Sequence, residues 1–113
     1  MVPIRTITLT LGRNRQTTPM SGPEWLTFQR QATALLTELA GTEPSWIETH
    51  YGVGEWDGVR EESVRITLLD ALEVPALGFL DAVSALAATY GQDAIAFATG
   101  TSVLLTASHT VSA

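Results

Sequence analysis

Three residues in the middle of the chain have side chains suited to proton transfer or anion binding: Glu48, His50 and Arg65. A carboxylate beside an imidazole fixes its tautomer and favours its charged form, the usual arrangement for a general base. An arginine beside that pair presents two parallel N–H groups to a carboxylate or phosphate. If the chain is an enzyme, these are its candidate catalytic residues. The competing reading is a solvated sheet face with ordinary cross-strand pairs. Two further arginines, Arg13 and Arg15, lie in "GRNRQ", which lacks the glycines of a phosphate loop. They are candidate anion contacts or plain surface residues. Trp56 sits among Glu55, Asp57, Glu61 and Glu62. Tryptophan is enriched at binding hot spots, so Trp56, Glu61 and Glu62 are candidate contacts to a protein partner. The acids do not have the spacing of a calcium loop, and no metal site is expected. No Ser-His-Asp set, H-E-x-x-H or G-x-G-x-x-G occurs.

These residues require elements that position them. "IRTITLTLG" alternates by twos, with Ile7, Leu9 and Leu11 on one face and Thr6, Thr8 and Thr10 on the other, as in a half-buried strand. "GRNRQTTPMSG" reads as a loop. In "SGPEWLTFQRQATALLTELAG", Ser21 and Glu24 fit a capping box and Pro23 falls in the first turn. Trp25, Phe28, Ala32, Leu35, Leu36 and Leu39 form its apolar stripe, and Gly41 stops it. Trp25, Phe28 and Tyr90 are assigned to packing. Asp57-Gly58 is a type I′ hairpin signal. It predicts that Trp56 faces Val59, Tyr51 faces Val64, Thr49 faces Ile66 and Ile47 faces Leu68. The same register pairs His50 with Arg65, Glu48 with Thr67 and Gly52 with Ser63, on the polar side. A second helix opens at Pro75 with the stripe Phe79, Leu80, Val83, Leu86, Ala87 and Tyr90, and ends at Gly91. "DAIAFAT" is a fourth strand, and Gly100-Thr101 offers a turn into a fifth, "SVLLTA".

The order β-α-β-β-α-β predicts an α+β, two-layer ferredoxin-like sandwich with both helices on one face of an antiparallel sheet and room for an extra C-terminal edge strand. Residues 1–108 form one domain and 109–113, with His109, a loose tail. The 113-residue chain has twelve acidic and six basic residues, all six of them arginine, for a net charge of -6. That balance disfavours non-specific nucleic-acid binding. Without cysteine there is neither a disulfide nor a thiolate metal site. No stretch matches the roughly 20 apolar residues of a membrane span, and the N-terminus lacks the pattern of a signal peptide. A cytoplasmic protein without a cofactor is expected.

The matches Gly12-Arg13, Ser21, Glu24-Trp25, Phe28, Gly54, Trp56, Glu62-Ser63 and Tyr90-Gly91-Gln92 occur in this order along most of the chain. In this pattern the sequence resembles a family of small bacterial proteins of unknown function. The resemblance implies the ferredoxin-like fold and attaches no activity to it.

The second sheet face combines Thr6, Thr8, Thr10 and Thr67 with small alanines such as Ala96. Such a surface lets another sheet approach to about 10 Å. It is the expected oligomer face, in the simplest case of a two-fold dimer. The functional reading is a small acidic binding or assembly protein that self-associates through its sheet and contacts a protein partner. Its size and charge also suit a viral accessory or inhibitory protein. The alternative is a dimeric α+β-barrel type of enzyme, or a small-anion or nucleotide binder, using His50 and Arg65.

Overall fold

The computed structural model describes residues 2–41, 45–69, 77–105 and 107, without the side chains of Val2 and Trp56. Pro75 as a helix start, Trp56 as an anchor, and the tail with His109 therefore lie outside the described residues. The elements are β1 (Val2–Gly12), β2 (Asn14–Arg15), β3 (Thr18–Pro19), α1 (Gly22–Ala40), β4 (Trp46–Trp56), β5 (Val59–Leu69), α2 (Leu77–Thr89) and β6 (Ala96–Leu104). The main sheet runs β4-β5-β1-β6, antiparallel throughout. The α1 crossover carries the chain past one strand position, and the hairpin brings β5 back into that gap beside β1. Two helices on a four-stranded antiparallel sheet make the expected α+β sandwich, of ferredoxin-like form.

Local chemistry accounts for each boundary. The Ser21 hydroxyl accepts from the Glu24 backbone N–H at 3.3 Å and caps α1. Gly41 ends α1 at a φ of 76°. Asp57 and Gly58 both have positive φ, 50° and 76°, as a type I′ turn requires. The hairpin then follows the register predicted from that turn, from Trp46 opposite Leu69 to Trp56 opposite Val59. At the end of α2 the Gly91 N–H bonds the Ala88 carbonyl and the Gln92 N–H the Ala87 carbonyl, which is a Schellman closure.

The core lies between the helices and one face of β1 and β5. Ile7, Leu9, Leu11, Val64, Ile66, Leu68, Phe28 and Leu36 are wholly buried. Phe28 stacks on Tyr90 at 4.5 Å and meets Trp25 edge-on at 6.1 Å, so all three aromatics pack.

Four details differ from the sequence-based expectation. Gly100-Thr101 does not turn the chain. β6 continues through it and pairs with β1 from Val2 to Thr10, because the eleven-residue β1 offers ladder partners along that length. The stretch read as a loop contains the small β2–β3 hairpin, with Gln16 at a φ of 56°. Leu80 is exposed rather than part of the α2 stripe. Thr49 and Tyr51 point to the helix side but stay exposed, since β4 is an edge strand and the helices cover its neighbours.

Candidate functional site

On the sheet face opposite the helices, the ladder sets side chains in rows. One row reads Ala96, Thr10, Arg65, His50 across the four strands. The next reads Ala98, Thr8, Thr67, Glu48, and a shorter one Gly12, Ser63, Gly52. Alternation along each strand keeps these residues on one side. The Thr8 and Thr67 hydroxyls bond each other at 2.9 Å. Glu48 is held from both sides: the Trp46 indole N–H donates to its Oε1 at 3.0 Å, and His50 Nε2 donates to its Oε2 at 3.2 Å. A carboxylate only accepts, so the proton of that bond sits on Nε2. The hydrogen bond from His50, and after it the one from Trp46, holds the Glu48 carboxyl below the usual carboxylate range.

Arg65 is exposed, and among the described residues its guanidinium has no hydrogen-bond or ion-pair partner. It lies in a trough of about 630 Å³ lined by Thr8, Thr10, His50, Ser63, Thr67 and the β4 stretch from Tyr51 to Gly54. A second depression of about 740 Å³ shares Thr10 and Ser63 with it and carries Glu61, Asp93 and Gln92 on its far side. Together they cross the face from one edge strand to the other. Hydroxyls line the middle, the Arg65 guanidinium stands among them, and the carboxylates of Glu61 and Asp93 stand at one end.

Glu61 is part of this layout because Gly12 has no side chain. A Cβ at Gly12 would lie 2.6 Å from the Glu61 carboxylate. That carboxylate accepts from the Asn14 backbone N–H at 2.7 Å. The other charged candidates face elsewhere. Arg13 pairs with Glu62 and donates from Nε to the Met20 carbonyl at 2.9 Å, and Arg15 pairs with Glu24. The structure thus brings Glu48, His50 and Arg65 together, as the hairpin register predicts. It does not bring Arg13 and Arg15 to Arg65. Glu61 and Glu62 are engaged with the segment after β1, so the four hairpin carboxylates do not converge. Two residues that bear on this face had no place among the sequence candidates: Trp46, which bonds Glu48, and Asp93, which lines the second depression. Trp46 shares a face with Glu48 by alternation and was legible on that ground. Asp93 depends on how the chain leaves α2, which no local pattern encodes.

This arrangement suits a polar molecule that presents hydroxyls to the threonines and a flat or anionic group to Arg65. Glu48, Glu61 and Asp93 add a preference for positive charge elsewhere on that molecule. His50, exposed and bonded to Glu48, stands at the rim.

No protein-family model and no curated protein sequence matches the chain. Among solved structures it is similar to a phage SAM lyase in the apo state, with 17% identity, a TM-score of 0.56, and coverage of 88% of this chain and 81% of that one. It is also similar to a phage SAM lyase in complex with S-methyl-5′-thioadenosine, at 18% identity and a TM-score of 0.51 over 85% of this chain and 79% of that one. At these identities the likeness is one of fold.

Proposed function

We propose that this chain is a small ligand-binding protein of the phage type, and that the trough on its open sheet face seats an adenosine thioether or its sulfonium counterpart. The observation that carries the reading is Arg65: a guanidinium without a partner among the described residues, set among the hydroxyls of Thr10, Ser63 and Thr67, with the carboxylates of Glu61 and Asp93 in the adjoining depression. A guanidinium stacks on or hydrogen-bonds a purine, and hydroxyls and carboxylates match a ribose diol. A positively charged sulfur is drawn by a protein of net charge -6. The complex of the structurally similar phage SAM lyase with S-methyl-5′-thioadenosine supports this class of ligand. The trough's volume lies within the roughly 300–1,000 Å³ typical of small-molecule sites.

Isothermal calorimetry with S-methyl-5′-thioadenosine tests the reading. Binding is expected, with Arg65→Ala weakening it about tenfold or more, the scale of a lost hydrogen bond to a charged group. Absence of heat, or equal affinity in Arg65→Ala, contradicts it.

A second reading makes the face a contact surface for another copy. The small side chains of Ala96 and Ala98 and the mutually satisfied Thr8 and Thr67 hydroxyls favour it. Against it, a flat second sheet would have to desolvate Arg65. Loss of self-association in Thr8→Arg would support this second reading.

A further inference from the structure

We propose that β6 is where two copies of this chain join, antiparallel about a two-fold axis, in the register that sets Gly100 opposite Gly100 of the second copy. This goes beyond the ligand reading and does not rest on it. Among the described residues β6 has a neighbour on one side only, β1. All nine of its residues are exposed. The strand "AFATGTSVL" contains no charge and no proline. A long, uncharged strand at a sheet edge is a template for pairing, and edges that must stay free carry charged residues or breaks. The opposite edge strand, β4, carries Glu48 and Glu55. A molecule of net charge -6 meets its own copy with least repulsion along its uncharged side.

The register follows from the side chains. Directly opposed residues in an antiparallel pair share a face, so each residue must meet one of its own parity. With Gly100 on the axis, Phe97 lies beside Val103 of the second copy on the helix side. On the other side Ala96 lies beside Leu104 and Ala98 beside Ser102. Phe97, Val103 and Leu104 are 38%, 49% and 50% exposed, and this pairing covers all three. Phe79 packs on Phe97 at 6.2 Å and so ties the start of α2 to the strand. Leu77 and Leu80, which flank Phe79 in the first turn of α2, are exposed as well. Glycine at the axis leaves no side chain to keep the strands apart.

The native chain has no cysteine, so cross-linking reads the register directly. Opposed residues lie roughly 4.5–5.5 Å apart at Cα, within disulfide reach. Mixing Ala98→Cys with Ser102→Cys is expected to give a mixed disulfide dimer in preference to either self-linked dimer. In light scattering the wild type at high micromolar concentration is expected to be a dimer. Thr101→Lys, on an exposed position of the strand, is expected to halve the mass, with the circular dichroism spectrum and S-methyl-5′-thioadenosine affinity unchanged. A monomeric wild type overturns the proposal. So does a dimer that survives Thr101→Lys but is lost in Thr8→Arg, or cross-linking of Ala98→Cys mainly to itself.

Discussion

Glu48 is the most constrained acid on the open face, since two ring N–H groups donate to its two oxygens. Its lowered carboxyl pKa has a definite sign. The charged form is favoured in the folded chain, so its contribution to stability is present above the ordinary carboxylate range. That contribution is lost as pH falls through the lowered value. Replacing His50 by alanine removes the larger cause, and a carbon-detected NMR titration is expected to show the Glu48 carboxyl moving up toward its usual range. No movement would mean that the His50 contact does not persist in solution. His50 and Arg65 were legible as neighbours because Asp57-Gly58 fixes the pairing of every residue behind it. The ion pairs of Arg13 with Glu62 and Arg15 with Glu24 were not, because each partner is presented by a different element.

The junction of β1 with β5 holds the second half of the trough in shape. Gly12 is short because the Glu61 carboxylate passes over it to reach the Asn14 N–H. Gly12 is not among the glycines at positive φ, so its constraint is room rather than conformation. Gly12→Ala is expected to cost about 1 kcal/mol, the scale of one hydrogen bond, because the flexible Glu61 side chain swings aside and gives up its bond to the Asn14 N–H. In a Glu61→Ala background that cost should shrink, and chemical denaturation of the double-mutant cycle measures the difference. Equal costs in both backgrounds would show that the clash is not with Glu61. At this scale periodicity was a good guide to which residues share a face. It gave no information on strand order, which is why exposure of Tyr51 on the edge strand β4 was missed. Nor did it disclose that β1 is long enough to keep β6 straight through Gly100-Thr101. Gln16 at positive φ has no sequence signature, so the β2–β3 hairpin was hidden as well.

For the molecule as a whole, the fold divides labour between two sides of one sheet. Burial of Ile7, Leu9, Leu11, Val64, Ile66 and Leu68 under the helices commits the alternate positions to the other side. Thr8, Thr10, Ser63, Arg65 and Thr67 stand there as a consequence of the same alternation, open to a ligand. The uncharged β6 lies at the rim of that face, so a join between two copies would extend the sheet without closing the trough. Residue-resolved NMR locates a small molecule on this face most directly. Titrating the isotope-labelled protein with S-methyl-5′-thioadenosine is expected to shift the amides of Thr8, Thr10, Ser63, Arg65 and Thr67. Shifts confined to the outer groove between α1 and α2, around Ala34, Leu35 and Leu86, or no shifts at all, would contradict the account.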